Sequence, residues 1–167
     1  MDLRVTADRH GAEVDWGQGP RRAAIGLPGI TVKRGEGDGI TPIGAFPVRE
    51  IFYRADRIAR PDTKLPLRVL EKNDGWCDAP DDPNYNRLVK LPYPASAEEM
   101  WREDHLYDLV AVLGYNDEPV VPGKGSAIFL HLAKPDYSPT QGCVALAYDD
   151  LVKAIEQLQP GDQVIID

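Results

Sequence analysis

A short apolar run that proline will not let continue sets the architecture open to this chain. Ala127, Ile128, Phe129 and Leu130 are β-favouring residues, and a run of this kind sits in the interior of a sheet. His131 closes the run. Pro135 and Pro139 follow, and neither can stay in a central strand, so the chain must leave the sheet by a loop and return before Thr140. Such a loop can bring Cys143 back beside His131. An unperturbed thiol is mostly protonated near neutral pH, and an adjacent imidazole that accepts its proton raises the thiolate fraction. Gly142 permits backbone geometry and close approach that a Cβ would obstruct. Amides around Gln141, Gly142 and Cys143 can then face a developing oxyanion. On residue type alone the pair also fits an inert role, a buried thiol and a hydrogen-bonded imidazole.

The rest of the chain reads mainly as strands. Leu3 to Thr6 and Glu13 to Trp16 alternate in polarity around the turn-rich Asp8-Arg9-His10-Gly11 and form a hairpin pattern. Arg22 to Gly26, Ile43 to Tyr53, Leu67 to Leu70, Leu106 to Leu113 and Gln163 to Ile166 complete the set. Two short helices are expected. Ser96 to Arg102 opens with the capping-box pattern Ser96…Glu99, and Asp149 to Leu158 puts Leu151, Val152, Ile155 and Leu158 on one face before Pro160-Gly161 stops it. Pro61 to Pro66 and Asn73 to Pro94 are rich in proline and aspartate and read as long surface loops. The expected class is mainly β (α+β), one β-sandwich or β-sheet domain over residues 1–167.

Charge and hydropathy narrow the function classes. A net charge of −8 over 167 residues provides no basic stripe to neutralise phosphates, against nucleic acid and anionic lipid as partners. No 18-residue apolar stretch is present, so no membrane insertion is expected. The first residues lack the basic and apolar regions of a secretory signal, which leads to the expectation of an unexported chain. Gly35-Glu36-Gly37-Asp38-Gly39 lacks the Gly-Lys-Ser/Thr ending of a phosphate loop, and its two acids would repel phosphate. It reads as a turn in which Asp38 anchors backbone amides. Cys77, His105, His131 and Cys143 are chemically valid zinc donors, but zinc modules place ligands in close pairs and these four are scattered, so no metal site is expected.

Several blocks, in order, resemble one family. Thr140-Gln141-Gly142-Cys143-Val144, with His131 upstream on a strand, resembles the signature of the YkuD-type L,D-transpeptidases, commonly His, a spacer, then Ser/Thr-His-Gly-Cys. Lys33 to Phe46 resembles that family's Gly-Asp-Gly…Thr-Pro…Gly…Phe segment. Gly75-Trp76-Cys77-Asp78 and Asp82-Pro83-Asn84-Tyr85-Asn86 extend the likeness from about Ile25 to the end. Three positions depart from the common pattern. Gln141 replaces a second histidine and can donate but not titrate, Ala145 stands where many members carry Arg or Asn, and Leu132 where Gly or Ser often follows the first histidine.

The resemblance implies a YkuD-like β domain with a thioester mechanism. Cys143 would be the nucleophile and His131 its base, with Gly142, Gln141 and Thr140 positioning the oxyanion or substrate. The implied partners are peptidoglycan stem peptides or muropeptides, attacked at the third residue of a tetrapeptide with loss of D-alanine. The acceptor stays open among a second stem's amine, a D-amino acid and water. Trp76, Tyr85, Asn86, Tyr115 and Asn116 are candidates to bind a sugar-peptide polymer, and the aromatics among them equally fit packing of loops on the sheet. No metal or organic cofactor is required, both cysteines are expected to be unpaired, and carbapenems are implied to acylate Cys143. The family's chemistry lies outside the cytoplasmic membrane, against the expectation from the first residues. A catalytically silent wall-fragment or partner-binding domain stays open as another class.

Overall fold

Strands whose side chains alternate between two apolar faces organise this protein. The computed structural model describes residues 1–167. In chain order the strands are β1 (Leu3–Asp8), β2 (Gly11–Asp15), β3 (Arg21–Ala24), β4 (Ile30–Thr31), β5 (Thr41–Pro42), β6 (Gly44–Tyr53), β7 (Leu67–Val69), β8 (Asp74–Cys77), β9 (Leu88–Lys90), β10 (Ala97–Glu99), β11 (Leu109–Leu113), β12 (Phe129–Leu132) and β13 (Val144–Leu146). One helix, α1 (Tyr148–Gln157), then leads into β14 (Gln163–Ile166).

Nine strands form one sheet in the order β11-β12-β13-β3-β2-β1-β14-β6-β7, and β11 also pairs with β6. That last pairing closes the ladder on itself. The long strand β6 makes it possible, because residues Gly44 to Pro47 pair with β14 and residues Val48 to Tyr53 pair with β11. A separate three-stranded sheet, β10-β8-β9, packs outside the closed ladder, and β4 and β5 form a two-stranded parallel ribbon.

The period of two along the strands sorts residues into two cores. Leu109, Ala111 and Leu113 of β11, Leu130 and Leu132 of β12, and Val144 and Leu146 of β13 belong to a main cluster of 25 buried residues. Val110, Val112 and Phe129 point the other way, into a second cluster of 10 with Trp76, Met100, Tyr107 and Cys143. Each large side chain so buried contributes about 1.5–3 kcal/mol. Trp76 meets Phe129 edge-on at 5.1 Å between ring centroids, which fastens the small sheet to the large one. Helix α1 buries Leu151, Ala154 and Ile155, and Asp149 and Asp150 lie in its first turn as its dipole favours.

Three expectations are corrected. Ser96 to Arg102 is not a helix: Ala97–Glu99 is strand β10, paired to β8 through Ala97↔Cys77, Glu98↔Trp76 and Glu99↔Gly75. A capping-box pattern is local, and the ladder with β8 together with burial of Met100 outweighs it. The fold therefore carries one helix rather than two. The stretch from Asn73 to Pro94 is not a surface loop alone, because it contributes β8 and β9, and Trp76, Cys77 and Tyr85 are buried. The strand placed at Leu106 begins only at Leu109, since Leu106 and Tyr107 turn toward the second sheet. No helix is long and apolar enough to cross a membrane.

Candidate active site

The register of two parallel strands places the thiol and the imidazole on one face. In the β12–β13 ladder Leu130 pairs with Val144, His131 with Ala145 and Leu132 with Leu146. Cys143, one residue before β13, lies beside Phe129, whose amide donates to Sγ at 3.4 Å. The thiol donates in turn to the Ala127 carbonyl at 3.2 Å. Phe129 and His131 are two apart on β12, so His131 shares the face on which Cys143 lies. His131 Nδ1 stands 2.9 Å from the Leu132 carbonyl. A carbonyl only accepts, so Nδ1 carries the proton and Nε2 holds the lone pair. The edge of Tyr107 packs on the imidazole at 5.4 Å between centroids.

Burial sets the resting charge of this pair. It pushes Cys143 up to about 12, with the negative charge of Glu98 adding to the effect and the Phe129 amide and Lys33 opposing it. It pulls His131 down to about 4, only partly offset by the Leu132 carbonyl. Near neutral pH the unoccupied site therefore holds a neutral thiol and a neutral imidazole.

Three glycines from distant segments bring the sequence blocks together. Gly142 has φ +125°, and a Cβ there would stand 2.9 Å from the Ile40 carbonyl oxygen. A Cβ on Gly26 would collide with the Gly39 carbonyl oxygen at 1.9 Å and approach Gly142 Cα at 3.3 Å. Backbone thus packs on backbone where the Gly35–Gly39 turn meets the cysteine loop. Asp38 pins that turn by accepting from the amides of Arg34, Gly35 and Ile40 and from Lys33 Nζ at 2.6 Å. Burial pushes the Asp38 carboxyl up, but these four donors outweigh it and hold it well below the usual carboxylate range. Thr140 ties the cysteine loop internally, donating from Oγ1 to the Cys143 carbonyl at 2.6 Å and accepting from the Gly142 amide at 3.1 Å.

Cys143 and His131 line a single cleft of about 320 Å³, together with Thr140, exposed Gln141 and Ala145. Gly142 is buried. The facing wall comes from the small sheet and the segment after it: Asp78, Glu98, Arg102 and Tyr107. Tyr107 donates to Glu98 Oε1. These four were not legible as site residues, because the strand pairing that presents Glu98 and Asp78 lies in segments whose pattern points to a helix and a loop. Lys33 and Glu36 of the pinned turn also reach the cleft.

The five residues expected as polymer contacts do not line it. Asn86 is a buried hub: its Oδ1 accepts from Trp76 Nε1 and the Ala127 amide, and its Nδ2 donates to the carbonyls of Tyr115 and Asn116. The Ala127 amide held this way belongs to the residue whose carbonyl receives the Cys143 thiol. Tyr85 donates to Glu36, Tyr115 donates to the Lys124 carbonyl, and Asn116 braces the loop through Val121 and Gly125. The five bond one another, Glu36 and the backbone of residues 115–127. Cys77 is buried and free, as is Cys143. His105 is exposed with Nδ1 2.7 Å from Asp108, and no three His, Cys, Asp or Glu side chains gather as metal ligands do.

The fold and the cleft together describe a β domain with a buried thiol and a buried imidazole on one face. The chain matches the family model of the YkuD L,D-transpeptidase catalytic domain over residues 6–166, and it belongs to that family. Among solved structures it is similar to Mycobacterium tuberculosis L,D-transpeptidase 1, at 14% identity and a TM-score of 0.41, covering 99% of this chain and 61% of that one. The chain thus spans about three fifths of that protein's chain. No curated protein matches it.

Proposed function

We propose that this chain is a cysteine-dependent L,D-transpeptidase acting on the tetrapeptide stems of peptidoglycan. The observation that carries the reading is the register of β12 on β13, which puts Cys143 and His131 on one face of one cleft within a YkuD domain.

The chemistry follows from the neutral pair. A bound stem presents the carbonyl of its third residue to Sγ. The thiol proton moves to the His131 Nε2 lone pair as the carbon–sulfur bond forms, so charge develops only within the reacting complex. The amides of Gln141 and Cys143 have no acceptor within the protein and are the donors for the tetrahedral oxyanion, whereas the Gly142 amide is held by Thr140. Collapse breaks the bond to the terminal D-alanine, whose amine leaves with the proton from His131. The thioester on Cys143 then passes its acyl group to an amine, His131 taking the proton that amine gives up, and the free thiol is regenerated. An incoming stem amine makes a cross-link, a D-amino acid makes an exchanged stem, and water makes a tripeptide. No metal or organic cofactor enters these steps.

Incubation with a purified tetrapeptide muropeptide, with and without a D-amino acid, tests the reading by product mass. An exchanged or dimeric product is expected. Release of D-alanine alone moves the assignment to an L,D-carboxypeptidase, and no product returns it to a binding domain. A carbapenem is expected to leave a covalent adduct on Cys143 that disappears in Cys143→Ala.

A further inference from the structure

The Cys143 thiol makes two hydrogen bonds, and neither is to its base. Sγ accepts from the Phe129 amide at 3.4 Å and donates to the Ala127 carbonyl at 3.2 Å, while His131 bonds through Nδ1 to the Leu132 carbonyl. A thiol has one proton, so in the resting site that proton faces Ala127 rather than the Nε2 lone pair. The carbonyl that receives it is held in an unusual pose. Ala127 has φ +55°, in the left-handed region that residues with a Cβ rarely adopt. Such a conformation persists where the surroundings fix it.

Asn86 does the fixing. Its Oδ1 accepts from the Ala127 amide at 3.0 Å and from Trp76 Nε1 at 2.9 Å, and its Nδ2 donates to the Tyr115 and Asn116 carbonyls, each at 2.9 Å. The residue is buried, and both lone-pair sites and both N–H groups of its side chain are filled. It therefore cannot turn without breaking bonds, and the Ala127 amide keeps a fixed acceptor. Trp76, held by the same oxygen, packs edge-on against Phe129, whose amide is the other partner of Sγ. Both backbone contacts of the sulfur trace to one side chain.

We propose that Asn86 is a positioning residue for the nucleophile: by fixing Ala127 it keeps the Cys143 thiol protonated and aimed until His131 takes its proton. The catalytic half of this rests on the transpeptidase reading, whereas the resting hydrogen bond stands without it. The negative end of the Ala127 carbonyl faces the sulfur, which favours the thiol over the thiolate. When the acyl carbon arrives, the S–H turns from that carbonyl to His131 Nε2, which takes the proton as the carbon–sulfur bond forms. Glu98, Lys33, His131 and Tyr107 are the charged and titratable groups facing the thiol, and none of them bonds to Asn86. A change at Asn86 thus reaches the sulfur through backbone alone.

The first measurement needs no change at Asn86. The infrared S–H stretch of Cys143, taken as the difference between the unmodified protein and Cys143→Ala, is expected below the frequency of a free thiol; a free-thiol frequency overturns the proposal. Alkylation by iodoacetamide, read for each cysteine by peptide mass, then gives the sign. In Asn86→Ala, Cys143 should react about threefold to tenfold faster at pH 7, as loss of one hydrogen bond to the thiol implies, while Cys77 keeps its rate. Adding Ala127→Gly should return Cys143 most of the way, because glycine takes a positive φ unaided, whereas general loosening of the core would be worsened by it. On the tetrapeptide, Asn86→Ala is expected to lower kcat about tenfold with KM within about twofold, since the thiol loses its aim and the substrate contacts stay. A Cys143 alkylation rate that is unchanged or slower, a rise shared by Cys77, no recovery with glycine, or a kcat equal to that of the unmodified protein overturns the proposal. D-alanine release by the unmodified protein is read separately, and its absence removes the transpeptidase reading while the infrared and alkylation results still decide the role of Asn86.

Discussion

Across the cleft, the wall of β12 and β13 and the wall of β8 and β10 hold their side chains by different means. The first is part of the closed ladder, its residues locked by parallel register and by the main core beneath. The second is a three-residue ladder fastened by Trp76 on Phe129 and by the Tyr107–Glu98 hydrogen bond. The wall backed by the larger core carries the neutral thiol and imidazole, turned to the smaller core, while the smaller sheet carries carboxylates outside any ion pair. Rigid register suits groups that must meet one reacting atom, and a peripheral sheet can vary its charge to suit a substrate without disturbing them.

The largest effect separating the walls is expected from His131→Ala. Turnover should fall by about 10²–10⁴-fold, the usual contribution of a positioned acid–base group, with the cooperative unfolding transition retained. Activity that survives would move the base elsewhere and break the division of labour. Next in size is Asp38→Ala in the pinned turn, which leaves the buried Lys33 ammonium unpaired and frees three amides. A loss of about 3 kcal/mol in denaturant unfolding is expected, since breaking a buried pair from one side costs about 3–5 kcal/mol. Stability within about 0.5 kcal/mol of the unmodified protein would show that the turn is not what holds the two motif blocks together.

The imidazole also gives the first wall a pH signature. His131 is held at about 4 when folded, against an ordinary 6.5, so the unfolded chain binds the extra proton between those values. Stability is then full above about 6.5 and falls as pH drops toward 4, by about 3 kcal/mol in all. Unfolding free energies measured at pH 7 and pH 4 should show that loss in the unmodified protein and lack it in His131→Ala. Equal pH dependence in the two would mean that the imidazole is not desolvated. The smallest effect is expected from Gln141→Ala, an exposed side chain at the mouth of the cleft: turnover within about threefold and stability within about 0.5 kcal/mol.

The sequence disclosed the two walls unequally, for a physical reason. Ala127 to His131 and the Pro135 and Pro139 breaks carry a local signal, an apolar run and its forced exit; the strand forms over Phe129–Leu132, shifted from the expected bounds because Ala127 takes a positive φ, and the chain returns as a loop that sets the Cys143 thiol against Phe129 and Ala127. The hairpin, β14 and α1 likewise follow from period and punctuation within a few residues. Strand β10 does not. Its three residues have helix-compatible chemistry, and only the partner strand 20 residues upstream makes Glu98 a cross-strand neighbour of Trp76. Asn86 misled in the other direction. A polar residue in a family motif suggests a substrate contact, yet its four hydrogen bonds are spent on backbone and an indole, which no local pattern reveals.

The most direct test is the mass of the protein and its products after mixing with a tetrapeptide muropeptide. A thioester confined to Cys143 is predicted, with one D-alanine released per acyl group and neither event in Cys143→Ala. An adduct on Cys77, or D-alanine release that persists without the Cys143 thiol, would contradict the assignment.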